Sequence, residues 1–406
     1  MTDVLDVRLG ESSVGKLTLL TGDRSFFAFE EAYLNNPDHP VLSQSFFTAS
    51  GDIIPETRPV QTKLPAFFSN LLPEGHLREY LASRGGVKPV REFKLIELLG
   101  EDLPGAVVIE PLEGRREWLE SEQPDEAMTP ADQPYRFSLA GVQLKFSALA
   151  ESTGGLTIPA SGVGGDWIIK LPAQNFAHVP ENEWAMLHWA GEIGIPVPET
   201  KLVPLDQIAG LPKLGVLSGN TSLAVKRFDR HEERRIHIED FAQVYNVFPE
   251  NKYEGVSTAN MANMVWTLTG EDGLIDFIRR LVFTILIGNG DMHLKNWSLV
   301  YPDGRNPELS PAYDFVSTIA YIPSDRLALN LSGEKNMSAI TLEHFKKLVR
   351  KAGLPEYLVL SAAKETMERT LDKWSENKTN YALPGEILER IEKHLAGLRI
   401  NNWHST

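Results

Sequence analysis

Apolar and polar positions alternate in short runs through the first 110 residues, at Val4-Leu5-Asp6-Val7, Lys16 to Leu20 and Phe26 to Phe29, with glycine-containing turns between them. A period of two broken by such turns predicts a small antiparallel sheet. Two stretches, Pro65 to Ser83 and Val90 to Leu99, instead carry apolar residues at helical spacing, each with glycine just past its end, and predict helices. From Pro111 to Pro134 large apolar residues thin out among acids and prolines, the mark of a linker. Strand patterns return between Tyr135 and Asp240, at Phe146 to Leu149, Trp167 to Leu171 and Leu223 to Phe228, with one helix from Asn182 to Ile193 among them. Beyond Asp240 the pattern turns helical, apart from Trp297 to Tyr301 and a short piece before Asp314. At least three helices are expected in the last stretch, among them Thr341 to Lys351 with Gly353 and Pro355 as stop signals.

This succession predicts an α+β chain with a small β-rich N-terminal subdomain (1–110), a linker (111–134), a sheet-rich lobe (135–240) and an all-helical C-terminal lobe (241–406). Its hydrophobic content of 42% with 23% charged residues is that of a globular protein able to bury a core. No apolar run approaches the roughly 18 residues of a membrane span, and Met1 to Leu9 has acids where a signal peptide carries bases. A cytoplasmic protein without membrane partners is expected. The absence of cysteine excludes disulfides, thiolate zinc sites and a cysteine nucleophile. A net charge of -15 repels polyphosphate at long range, so DNA is expected to be reached mainly through a partner protein. An Mg-bound nucleotide differs, because its metal and a few placed lysines cancel the charge locally.

Two segments carry the candidate chemistry. The first follows the apolar run Leu281 to Ile287 and reads Gly288-Asn-Gly290-Asp291-Met-His293-Leu-Lys295-Asn296, with Tyr313-Asp314 downstream. Phosphoryl transfer needs a carboxylate near the attacking hydroxyl and oxygen ligands for Mg²⁺. The Asp-x-x-x-x-Asn spacing followed by a second aspartate reproduces a kinase catalytic loop and its metal-binding aspartate. Asp291 is then the base or orienter, Asn296 and Asp314 the metal ligands, and Lys295 a stabiliser of phosphoryl charge. The second segment, Trp167-Ile-Ile-Lys170-Leu, sets a lysine in an apolar strand, where an ammonium requires an anionic partner. Glu181 and Glu183 on the following helix are the candidates, with ATP phosphates as the other anion. Leu223 to Phe228 is expected at a hinge, its backbone meeting the adenine edge. Ser138-Leu-Ala-Gly141-Val-Gln143-Leu-Lys145 is expected to fold over the phosphates. The ten histidines form no H-x-x-x-H pattern, and no G-x-S-x-G element is present.

Taken in order, Ser138 to Lys145, Ile168-Ile-Lys170-Leu-Pro, Glu181-Asn-Glu183, Lys226-Arg-Phe-Asp-Arg230, Ile238 to Gln243, Asp291-x-His-x-Lys-Asn296 and Pro311-x-Tyr-Asp314 resemble the HipA family of bacterial serine/threonine kinase toxins. Leu64 to Arg78 is similar to that family's N-terminal subdomain. The resemblance implies a two-lobed, protein-kinase-like fold. It also implies ATP contacts from Ala140, Gly141, Val142, Gln143, Leu144, Lys145, Lys170, Lys226, Arg227, Phe228, His293, Leu294, Lys295, Asn296 and Tyr313. Asp291 would be catalytic, and Asn296 with Asp314 would hold Mg²⁺. The implied protein substrate is an aminoacyl-tRNA synthetase, the implied partner a HipB-like helix-turn-helix antitoxin, and the implied off switch autophosphorylation of Ser138. Gly290 departs from the family, where threonine is common, as does Lys226, where an acidic hinge residue is known. A small-molecule kinase and a nucleotide-binding co-repressor without kinase activity stand as the alternatives.

Overall fold

The computed structural model describes residues 3–112, 145–150, 156–157, 165–211, 217–231 and 234–399. The expected linker lies largely outside these residues, as do Ser138, Ala140, Gly141, Val142, Gln143 and Leu144.

The alternation at the N-terminus forms an antiparallel sheet of β1 (Asp3–Leu9), β2 (Ser12–Leu20), β3 (Arg24–Phe29), β4 (Val60–Gln61) and β5 (Val107–Pro111), in the order β4-β3-β2-β1-β5. Leu5, Val7 and Leu9 on one face of β1 join Phe27, Phe46, Phe67 and Phe68 in a common core, as a two-residue period requires. The helix expected over Pro65 to Ser83 is instead two, α2 (Ala66–Ser69) and α3 (Gly75–Arg84), preceded by a short α1 (Glu31–Leu34). Pro73 accounts for the break, since it lacks an N–H and disfavours helical backbone at Leu72. Glu74 lands at the corner so formed. A further helix, α4 (Glu92–Leu99), packs on β5.

A second sheet contains β6 (Lys145–Ala150), β7 (Leu156–Thr157), β8 (Trp167–Lys170), β9 (Thr200–Pro204), β10 (Ile208–Ala209) and β11 (Thr221–Lys226), ordered β10-β7-β6-β8-β11-β9. Alternation sorts its faces: Trp167, Ile169 and Ala224 enter a small core of their own, whereas Leu223 and Val225 face the main helical core. Lys170, paired with Leu223 in the ladder, therefore points to the side of α5 (Val179–Glu192).

The C-terminal lobe departs from the all-helical expectation. The strand expected over Trp297 to Tyr301, β15 (Ser298–Tyr301), and the short piece before Asp314, β16 (Glu308–Leu309), join β14 (His237–Asp240) from the end of the sheet-rich lobe in a three-stranded sheet, after the small hairpin β12 (Arg230–His231) and β13 (Arg234–Arg235). Short strands such as His237–Asp240 are too brief for a periodicity to declare them. The helices are α6 (Phe241–Val244), α7 (Thr258–Leu286), α8 (Leu342–Ala352), α9 (Glu356–Asn377) and α10 (Gly385–Gly397). The expected α8 ends as its stop signals require, on Gly353 at φ +66°. α7 is interrupted at Gly270, whose φ of +68° is non-helical. The apolar end of α7, Leu281 to Ile287, is buried and delivers the Gly288–Asn296 loop straight from the core.

Candidate active site

Four chain segments converge. Strand β8 contributes Lys170, helix α5 contributes Glu183, and the loop after α7 contributes Asp291 and Asn296; Asp314 follows β16. The Lys170 ammonium, in a residue 4% exposed, donates to both Glu183 Oε1 and Asp314 Oδ1. Burial by itself would favour a neutral lysine, but the two carboxylates outweigh it and hold its pKa above the ordinary value. Of the two expected partners, Glu183 fills the role and is fully buried; Glu181, two residues earlier, lies 3.7 Å from His178 instead. The two residues differ by about 200° around the helix, so only one can face β8.

Asp314 has φ +56°, a left-handed conformation that costs a non-glycine residue about 1 kcal/mol or more. The strained turn is held from two sides. Asn289 donates to the Asp314 carbonyl at 3.2 Å, and Asn182 of α5 clamps Ser317 by a reciprocal pair at 3.0 and 3.1 Å. From sequence neither asparagine is given a role of its own, since both bonds join segments remote in the chain.

The loop carrying Asp291 is internally bonded. Asn289 Oδ1 accepts from the Asp291 N–H at 2.9 Å, Asn296 Nδ2 donates to the Asp291 carbonyl at 2.9 Å, and the His293 N–H donates to the same carbonyl at 2.8 Å. The Asn296 bond places its amide oxygen on the opposite prong. Asp291 itself is exposed, and its Oδ1 accepts from the Tyr253 hydroxyl at 2.6 Å. A hydroxyl can therefore reach this carboxylate. The Gly290 N–H donates to Thr318 at 2.7 Å, and a Cβ at 290 would come within 2.1 Å of the Asp325 carboxylate, so any larger residue there would have to displace that side chain. His293 is buried and held neutral, its pKa pushed down to about 3 by burial and by Lys252; its Nδ1 has no partner among the described residues.

Several expected nucleotide contacts are placed differently. The Arg227 guanidinium is buried and bound to Asp229 at 2.8 and 2.9 Å. The N–H groups of Lys226 and Arg227 already donate to Glu199 and Asp166. The Lys226 side chain is exposed near Glu199 at 3.3 Å. Neither residue has a free N–H for an adenine edge, since both N–H groups are spent on these backbone carbonyls. Half-buried Phe228 remains, its ring 5.9 Å from that of Tyr313. The Leu294 side chain is in the helical core and its N–H donates to Lys252. Tyr313 uses its hydroxyl internally, donating to the Lys295 carbonyl at 2.9 Å. The Lys295 ammonium meets Glu74 at 2.9 Å, the Asn70 carbonyl at 3.0 Å and Asp240 at 4.0 Å, a commitment to the N-terminal sheet unit that spacing within the loop could not disclose. Lys145 opens β6.

As for a metal, Asp314 and Asn296 present the hard oxygen donors that Mg²⁺ takes, and the Asp314 carboxylate already holds a cation, the Lys170 ammonium. Among the described residues no cluster of three or more His, Asp or Glu could hold an ion alone. That donor set fits a cation which draws its remaining ligands from phosphate and water.

Models of two families match the chain, the HipA-like C-terminal domain over residues 137–374 and the HipA N-terminal domain over residues 5–110. A Sinorhizobium fredii protein, Y4dM, which carries a provisional kinase name, is 50% identical over 395 residues, 96% of each chain. The serine/threonine-protein kinase toxin HipA of Shewanella oneidensis is 26% identical over 404 residues, covering 89% of this chain and 86% of that one. The structure of Shewanella oneidensis HipA with HipB and operator DNA matches with a TM-score of 0.73 at 22% identity, over 97% of this chain and 96% of that one. This last likeness is one of fold.

Proposed function

The chain belongs to the HipA family of toxin kinases, and from that premise we propose that it is an ATP-dependent serine/threonine protein kinase, the toxin of a HipBA-type toxin–antitoxin pair. The observation that carries the reading is the buried Lys170 ammonium between Glu183 and Asp314, beside a loop that presents Asp291 to solvent. Lys170 is built to meet ATP phosphates, Glu183 to hold it in place, and Asp291 to orient the acceptor hydroxyl and take its proton as the O–P bond forms and ADP departs. Asn296 and Asp314 would hold Mg²⁺, which supplies charge neutralisation at the phosphates. His293 Nδ1, Phe228 and Tyr313 are the remaining candidates for nucleotide contact. The residue ranges 1–110, 135–240 and 241–406 serve as the N-terminal subdomain, nucleotide lobe and catalytic lobe.

Following the family resemblance, the substrate is an aminoacyl-tRNA synthetase, whose phosphorylation would arrest translation. A HipB-like antitoxin then brings the chain to operator DNA. That arrangement agrees with a net charge of -15, which disfavours direct DNA contact. Autophosphorylation of Ser138 would place about two negative charges near Mg-ATP and repel it.

The test is label transfer from γ-labelled ATP with Mg²⁺ to the synthetases of a cell extract. Wild-type protein is expected to label one of them and itself, and Asp291→Ala to lose about 10²- to 10⁴-fold in rate. Equal labelling by the variant would remove Asp291 from the mechanism, and ATP turnover with a metabolite acceptor but no labelled protein would make the chain a small-molecule kinase.

A further inference from the structure

Glu74 sits in the N-terminal sheet unit, at the Pro73 corner between α2 and α3, yet its carboxylate faces the loop that carries Asp291. We infer that Glu74 is a positioning residue for that loop, an inference that rests on the kinase reading above for its catalytic consequence. Glu74 Oε1 meets Lys295 Nζ at 2.9 Å and Oε2 meets Lys252 Nζ at 2.9 Å. Each lysine belongs to a separate tether. Lys295 immediately precedes Asn296, and its ammonium also donates to the Asn70 carbonyl at 3.0 Å. The Lys252 carbonyl accepts from the Leu294 N–H at 3.1 Å, and the next residue, Tyr253, donates to Asp291 at 2.6 Å and stands edge-on to His293 at 5.0 Å. One carboxylate thus joins the Asn296 end of the loop to the segment that holds its Asp291 end.

The corner is itself fixed. Asn70 donates to the Val247 carbonyl at 2.8 Å, Gln243 donates to the Phe67 carbonyl at 3.0 Å, and Lys63 pairs with Glu250. Burial alone would raise the Glu74 pKa, but Lys295 and Lys252 outweigh it and hold the group at about 2, so the carboxylate is ionised at any working pH. Without it, Lys252 loses the carboxylate that its ammonium meets among the described residues, while Lys295 keeps Asn70 and the more distant Asp240. The loop then stays folded but gains freedom at the Tyr253 side. Misplacement of reacting groups by about 1 Å costs on the order of 10²-fold in rate, and a loosened loop falls short of that limit.

The experiment uses the full chain and two readouts. Glu74→Gln is expected to lower kcat about tenfold, with a smaller change in KM for ATP, because Lys170 and Asp314 lie outside the tether while His293 and Asn296 lie within it. Glu74→Asp, which keeps the charge, should recover part of the rate, and Glu74→Gln in a Lys295→Gln background should cost less than it does alone. Hydrogen exchange is expected to quicken at Leu294 and its neighbours in Glu74→Gln while the β1–β5 sheet is unaltered. Unchanged loop exchange, or a rate loss fully additive with Lys295→Gln, overturns the inference. A wild-type protein without kinase activity would overturn the kinase reading, and the exchange arm would still decide whether Glu74 holds the loop.

Discussion

Two buried charge clusters lie on neighbouring strands and are built differently. At the end of β8, Lys170 is one cation between two carboxylates, Glu183 and Asp314, and one of these stands on backbone at φ +56°. Past the end of β11, Arg227 and Arg230 face Asp229 and Asp102 with pairs at 2.8 to 2.9 Å, and Asp229 accepts a further bond from the Gly105 N–H. The second cluster, which Arg235 joins at 3.9 Å from Asp102, ties the N-terminal unit to the nucleotide lobe. The first sets a single buried ammonium between two carboxylates, one of them on strained backbone. Buried ion pairs are weak evidence of stability taken alone; what separates the site from the joint is the left-handed Asp314 among its partners and the exposed Asp291 loop beside it.

The largest effect that could break this contrast is at Lys170. Lys170→Met is expected to lower phosphoryl transfer about 10²- to 10³-fold, read by label transfer at saturating ATP. Arg230→Met is expected to do the converse, costing about 3–5 kcal/mol of stability by leaving Asp229 and Asp102 short of a partner, read from the denaturant midpoint, with kcat per folded molecule within twofold of wild type. Reversed outcomes would dissolve the distinction between site and joint.

Glu239 sharpens it from the other side. This fully buried carboxyl accepts from Ser43, the Gln44 N–H at 3.1 Å and Tyr301. Burial, opposed by those bonds, lifts its pKa to about 7. Because the folded value lies above the unfolded one, its contribution is fully present below about pH 4.5 and is lost as pH rises to about 7. Glu239→Gln should therefore gain about 3 kcal/mol relative to wild type between pH 4.5 and pH 8, measured by urea unfolding at both values. A pH-independent difference would mean that the carboxyl is already ionised in the fold.

The legible part of the molecule was the part written in local pattern. Alternation in Asp3–Leu9 and Ser12–Leu20 declares a half-buried sheet, and a lysine inside Trp167–Leu171 declares that an anion must come to it. Asp291, Asn296 and Asp314 were visible through spacing, since phosphoryl transfer demands those groups in that order. Pro73 was in plain view, yet apolar residues on both sides of it imitated one helix, and the corner that carries Glu74 went unread.

By itself the sequence determined the chemistry available: one lysine that cannot be buried alone, one exposed-loop aspartate and two oxygen donors, with no thiol and a net charge of -15 that disfavours direct DNA contact. Tertiary structure decided which anions the cations meet. Glu183 rather than Glu181 takes Lys170, Asp314 joins it from 144 residues away, Arg227 turns to Asp229, and Lys295 turns to Glu74 across 221 residues. Charge pairing depends on distances of about 3 Å between side chains, and distances between remote segments are set only when strands, helix faces and corners have packed.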